Sequence, residues 1–325
     1  MSPSTTRSGS LDSLRGVAIG AVVCSHGLAG VGIGADPDSA VMALGRGGVT
    51  LFFLLSGYLI FRSVEREQLP VFLSRRFFKV LPSYWIAILV ILALDFTLPA
   101  AAHFGWKAYA ADALAVADLL GTGDVSGVFW TLLIEIKFYA FIAVQYAVLG
   151  RRHMHLVLAG LLALEAVAWA VRGHGSMTLA YFPVFYLGIE LALAEEAGWS
   201  RASLVRVAVV TGVLALSLVA FLDRMNLWSA GYLVGSAALF VGAVRAGARN
   251  RVLVFLGITS YSTYLYHSLI MGAVFAVAGL PPAAMFATGA LVAVAVGAVF
   301  TAAVEKPFVR LGRLLETPGL ERRAP

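Results

Sequence analysis

Residues 11–27 read LDSLRGVAIGAVVCSHG. The stretch is apolar enough to enter a bilayer, yet it carries Arg15 and His26. Eleven residues of α-helix turn through about 1100°, so the two side chains fall within about 20° of one face and about 16 Å apart along the axis. An ionisable group at bilayer depth costs about 3 kcal/mol on insertion scales and is a functional hypothesis by default. A structural reading stands beside the functional one for each residue. Arg15 can snorkel to a headgroup boundary, and His26 can hydrogen-bond a neighbouring helix. Their shared face favours one pathway, with a fixed cation at its mouth and a titratable imidazole deeper in. Asp12, three residues ahead of Arg15, is spaced to pair with it.

The rest of the chain supplies the membrane setting. Of its 325 residues 60% are hydrophobic and 13% charged, against about 45–50% and about 25% in soluble domains. The mean hydropathy is +0.87. This composition specifies an all-α, polytopic transmembrane bundle. Apolar runs of about 20 residues, the length a membrane helix needs, fall near 12–33, 47–63, 80–98, 127–149, 154–172, 176–194, 203–222, 226–244, 253–277 and 284–304, which makes about ten spans.

A net charge of +6 invites a nucleic-acid reading, but the distribution of charge argues against one. With the N-terminus cytoplasmic, the inner segments collect most of the Lys and Arg, among them Arg62, Arg66, Arg75, Arg76 and Lys79. The outer loops then hold Arg46, Lys107, Arg172 and Arg224. The positive-inside rule therefore puts both termini in the cytoplasm, and the protein in the cytoplasmic membrane with lipid as its surroundings. The expected organisation is a tail over 1–11, a transmembrane domain over 12–313 and a second tail over 314–325. The first span reads as a retained helix and not as a cleaved leader. The one cysteine, Cys24, excludes an intramolecular disulfide and a cysteine-built metal site, and no metal is expected. Neither a P-loop nor a strand-led GxGxxG is present.

Between the second and third spans, FRSVEREQLPVFLSRRFFKVLP (61–82) reads as an interfacial helix with Arg75, Arg76 and Lys79 in water, or simply as positive-inside charge. The outer segment 99–126, with Gly121, Gly123 and then Gly127, suggests a flexible approach to the fourth span. In that span, FWTLLIEIKFYAF (129–141), Glu135 and Lys137 are two residues apart. They do not face each other on a helix, so each needs another partner or a wet cavity. Trp130 suits an aromatic belt as well as a site. In GGVTLFFLLSGYLIF (47–61), Gly48, Ser56 and Gly57 permit close helix approach. Glu165, Glu190 and His267 are further polar candidates inside spans, whereas His103, His153, His155 and His174 fall in loops or at span ends.

Taken together these stretches resemble the membrane acyltransferase 3 family over nearly the whole chain, from Leu11 to about Arg313. LDSLRGVAIGAVVCSHG is similar to its opening motif, with Arg15 and His26 at the family's spacing. LFFLLSGYLI is similar to its FFxxSG motif at Phe52, Phe53, Ser56 and Gly57. FLSRRFFKVLPSYW is similar to a basic RxxR stretch, and WTLLIEIKFY to a tryptophan–glutamate–aromatic motif at Trp130, Glu135, Phe138 and Tyr139. GITSYSTYLYHSLI and VEKPF are similar to its closing signatures. One departure stands out: Lys79 occupies the place of the second arginine, which keeps the charge and loses the bidentate fork for phosphate.

The resemblance implies a stand-alone O-acyltransferase module. It implies acyl-CoA, above all acetyl-CoA, as the donor, and a carbohydrate, lipid-linked or otherwise glycosylated acceptor. Arg15, Arg75, Arg76 and Lys79 would meet the phosphates of CoA. His26 would be the general base, with Glu135 orienting it or holding the acceptor, and Ser56, Trp130, Tyr139 and His267 in support. Cys24, turned about 160° from His26 on a helix, is a poor acyl carrier for that site. The competing class is a secondary transporter, which would also line a pathway with His, Glu and Arg.

Overall fold

The computed structural model describes residues 3–97, 104–174, 176–221, 227–277 and 279–315, with the backbone alone over 3–8. His103, Arg224 and the tail from residue 316 lie outside the described residues. Helices account for almost everything described, and no strand occurs among the described residues. In chain order they are α1 (Pro3–Gly30), α2 (Ala40–Arg66), α3 (Leu69–Thr97), α4 (Trp106–Ala113), α5 (Ala117–Leu120), α6 (Phe129–Leu149), α7 (Met154–Arg172), α8 (Met177–Glu196), α9 (Arg201–Phe221), α10 (Leu227–Ala246), α11 (Arg251–Val277), α12 (Pro282–Phe300) and α13 (Lys306–Leu314). The first helix starts at Pro3, so the segment expected as a tail is its opening turns.

Nine helices among the described residues are long and apolar enough to cross a membrane. The expected span over 253–277 is α11, which is long enough but carries Ser260, Ser262, Thr263 and His267 as buried polar residues. It lies in the bundle's interior against α1 and α12, where those groups face protein and not lipid. The ends of the helices are set by ordinary capping. Ser39 accepts a hydrogen bond from Met42 N at 3.1 Å to start α2, and Asn250 Oδ1 accepts from Val252 N and Leu253 N at 2.9 and 3.2 Å to start α11.

The centre is made by α1, α2, α8 and α11. Most of α2 and α8 is buried, whereas α7, α9 and α12 are mostly exposed. Their outward side chains are large and apolar, with Leu216 and Leu291 as examples, and this surface suits lipid and not water. Glycines bring the central backbones together. A Cβ on Gly257 would lie 1.9 Å from the carbonyl oxygen of Asp12, and one on Gly57 would lie 2.0 Å from that of Phe185. Only a residue without a side chain fits at these crossings.

Two regions differ from the sequence reading. The basic stretch is no separate interfacial helix, because α3 runs unbroken from Leu69 through Pro82 to Thr97. Its first turns pack against the short amphipathic α13, with Gly312 set on Phe78. The segment before α6 is folded, with α4 and α5 tied to the bundle through Asp112. That carboxylate accepts from Val125 N at 2.7 Å, and Tyr84 OH donates to the Asp112 carbonyl at 3.1 Å. Gly121 and Gly123, at φ 63° and 72°, supply turns that an L side chain would strain.

Candidate active site

Three cavities lie in series along the bundle. The first, about 460 Å³, is a mouth between α3 and α13 lined by Arg75, Arg76, Lys79 and Arg313. The second, about 280 Å³, shares Arg76 and Lys79 with it and adds Arg15, Ser56, Glu135, Tyr139 and Glu305. The third, about 510 Å³, holds His26, Arg46, Trp130 and Tyr181. Val49 and Tyr264 line both the second and the third.

The lining residues show how the cavities are stacked. Passing from the second to the third, the numbers rise on α1 from Asp12 and Arg15 to Val22 and His26. They fall on α2 from Ile60 and Ser56 to Arg46 and Met42, and on α6 from Tyr139 and Glu135 to Trp130, with Val128 just ahead of the helix. The cavities therefore follow one another along the helix axes, with α1 antiparallel to α2 and α6. The mouth is on the face where α1 begins, here termed the basic face. Arg15 and His26 belong to successive cavities, as their spacing on one helix face requires.

In the second cavity Glu135 is the hub. Its Oε1 accepts from Ser56 Oγ at 2.6 Å and from Tyr139 OH at 2.7 Å. Arg76 stacks over the Tyr139 ring at 5.7 Å and donates to Ser63 Oγ at 2.8 Å. Arg15 faces Asp12 at 3.8 Å, and Arg75 pairs with Glu67 at 2.9 Å. Glu305 arrives on a π-helical turn, Thr301–Glu305, that links α12 to α13. Such a turn re-aims one side chain within an otherwise regular helix and recurs at functional sites. Ser262 Oγ donates to Glu305 at 3.1 Å.

His26 has a different neighbour from the one expected. Its ring meets that of His267 edge-on, with centroids 4.9 Å apart, while the hydrogen bonds of Glu135 go to Ser56 and Tyr139. His267 is fully buried, and its Nδ1 donates to the Tyr264 carbonyl at 2.8 Å. That bond fixes the proton of a neutral ring on Nδ1 and leaves Nε2 as a lone pair, which has no hydrogen-bond partner. Trp130 lies tilted against Tyr181, with ring centroids 5.5 Å apart, in the third cavity.

Several polar candidates fall elsewhere. Lys137 is paired with Asp118 of α5, Glu190 with His155 and Arg206, and Glu165 accepts from Ser176 N at 3.0 Å. Sequence reading missed three lining residues. Arg46, a loop charge by sequence, stands seven residues into α2. Tyr264 and Tyr181 look like ordinary apolar-span aromatics until the helices are assembled. No group of three or more His, Cys, Asp or Glu side chains able to hold a metal occurs among the described residues.

A family model described as an acyltransferase domain matches residues 8–303. The chain belongs to the acyltransferase 3 family. This acyltransferase is 28% identical over 306 residues to the exopolysaccharide production protein ExoZ of Rhizobium meliloti, covering 86% of its own length and 95% of the relative's. It is 24% identical to nodulation protein 10 of Rhizobium leguminosarum bv. viciae, over 81% of the acyltransferase and 82% of the relative. It is 27% identical to the acyltransferase MdmB of Streptomyces mycarofaciens, over 83% and 81%. No solved structure matches it. The acyltransferase is thus a multi-pass membrane enzyme, and its family replaces the transporter alternative.

Proposed function

We propose that this enzyme moves an acyl group, acetyl above all, from cytoplasmic acyl-CoA to a hydroxyl of a carbohydrate or glycosylated acceptor. The observation that carries the reading is the series of cavities running from a basic mouth to His26. A CoA molecule has several phosphate charges, and charge-assisted bonds to Arg75, Arg76, Lys79 and Arg15 are the strong class for holding them. The basic face is then the cytoplasmic one, as positive-inside charge requires. The pantetheine arm enters the second cavity and carries the thioester towards Val49 and Tyr264. That the relatives include an exopolysaccharide production protein supports a carbohydrate acceptor.

In the chemical step the imidazole of His26 takes the proton of the acceptor hydroxyl while its oxygen bonds to the thioester carbonyl carbon. The C–S bond breaks, and the CoA thiolate leaves and takes up a proton. His267 holds the His26 ring, and the Ser56–Glu135–Tyr139 cluster shapes the passage for the acyl arm. Ser56 already donates to Glu135, so its role is in this cluster and not in an acyl-enzyme.

The test is acetyl-CoA binding and slow hydrolysis by the detergent-purified protein. His26→Ala binds without turnover, and Arg76→Ala/Lys79→Ala loses binding by about tenfold or more. Absence of binding by the wild type would overturn the donor assignment. Undiminished turnover in His26→Ala would overturn the base.

A further inference from the structure

The third cavity has an electrostatic character that the donor site does not explain. Among its described lining residues the ionisable side chains other than tyrosine are His26, Arg46 and His174, and none is a carboxylate. The second cavity, by contrast, balances Arg15, Arg76 and Lys79 against Asp12, Glu135 and Glu305.

Arg46 is held in place on two arms. Its Nε donates to Ser229 Oγ at 3.2 Å and its Nη1 to the Pro37 carbonyl at 2.9 Å. The remaining arm, Nη2, is buried and has no hydrogen-bond partner. Tyr181, fully buried, has a hydroxyl with no partner either, and it lines the same cavity. A buried donor left unmade costs stability, more so when it is charged. Asp36 and Asp38 flank the Pro37 carbonyl that Arg46 binds, yet neither takes Nη2 or the Tyr181 hydroxyl, so these two donors on one cavity wall amount to a site for an oxygen-rich anion. Guanidinium geometry suits a carboxylate or phosphoryl group best.

Resting on the acyltransferase reading, we propose that the acceptor occupies this third cavity and bears an anionic group, carboxylate or phosphoryl, held by Arg46 and Tyr181 while its hydroxyl meets His26. The anion does not react; it fixes which hydroxyl reaches the imidazole. Trp130, tilted against Tyr181, gives the sugar ring an aromatic wall. The enzyme then selects acidic or phosphate-bearing sugars over neutral ones.

The experiment compares methyl glucuronoside, glucose 1-phosphate and methyl glucoside as probes. Saturation-transfer NMR on the purified full chain, without acyl-CoA, reads binding; acetyl transfer from acetyl-CoA reads turnover. One or both anionic probes bind and outcompete the neutral glycoside, and which of them binds separates the carboxylate from the phosphoryl source. Arg46→Gln lowers the anionic-to-neutral ratio by about tenfold or more. Tyr181→Phe lowers it less, and Arg46→Lys restores part of it. A merely structural role for Arg46 would lower both classes alike. Equal loss for both, binding of the neutral glycoside alone, or no binding by either anionic probe overturns the proposal. Because binding is read without acyl-CoA, failure of the donor assignment leaves this result legible.

Discussion

Glu135 shows how much a single side chain decides inside the bundle. Its position in an apolar helix is plain from the sequence, and so is its need for a partner. The identity of those partners is not, because Ser56 lies on another helix and Tyr139 one turn further along its own. Both hydroxyls donate to one carboxylate oxygen, so removing the acceptor strands the buried Tyr139 hydroxyl and the half-buried Ser56. Glu135→Ala is expected to destabilise the protein by about 3 kcal/mol. Glu135→Gln keeps an acceptor oxygen and loses less, and Ser56→Ala costs about 1 kcal/mol. Thermal unfolding in detergent reads all three, and an undisturbed Glu135→Ala protein would refute the hub. Arg15 and Asp12 were fully legible, since their partnership is local to one helix. The His26–His267 pair was not, because 241 residues separate the two rings along the chain.

At the scale of elements, close packing and one buried carboxyl set the limits. In α11, Gly257 meets the backbone of α1, whose carbonyl cannot swing aside as a flexible side chain would. Gly257→Ala should cost about 2 kcal/mol or more through overpacking. Gly235→Ala in α10, where open space surrounds the position, should be neutral or slightly stabilising. Melting temperatures of the two variants test the contrast. The folded segment ahead of α6 depends on Asp112, whose carboxyl is pushed up to about 7, chiefly by burial. Asp124 hydrogen-bonds it and is itself raised by burial. The unfolded chain releases this proton near pH 4 and the folded one near pH 7. Between those values the unfolded state binds fewer protons, so the segment's stability falls as pH rises and levels off above about 7. Hydrogen exchange at Val125 N, corrected for intrinsic rate, should accelerate across that window. In Asp112→Asn the acceleration should vanish. A flat profile in the wild type would contradict the raised Asp112 carboxyl.

Across the whole molecule the proposed function divides binding and reaction between the basic mouth and the internal cavities. A donor held at the mouth by phosphate contacts should bind more weakly as salt rises, since exposed charges are screened within about 10 Å at 0.1 M. Isothermal titration of CoA at increasing ionic strength would show this. An affinity indifferent to salt would place the nucleotide elsewhere. Arg75 and Arg313 lie on this mouth with Glu67 as the acid of its lining, so the field there is positive.

The sequence by itself determined the helical membrane architecture, nine of the ten expected spans and the alignment of Arg15 with His26. These follow from composition, run length and helical period, all of which are properties of neighbouring residues. It also gave Lys137 no partner within its helix, and the fold supplies Asp118 from the segment before. Tertiary structure alone decided that Glu135 belongs with Ser56, that a π-helical turn brings Glu305 to the second cavity, and that Arg46 stands on α2 and lines the third. It alone set His267 against His26. Each of these depends on which helices touch and at what depth, and glycine contacts between backbones far apart in sequence fix both.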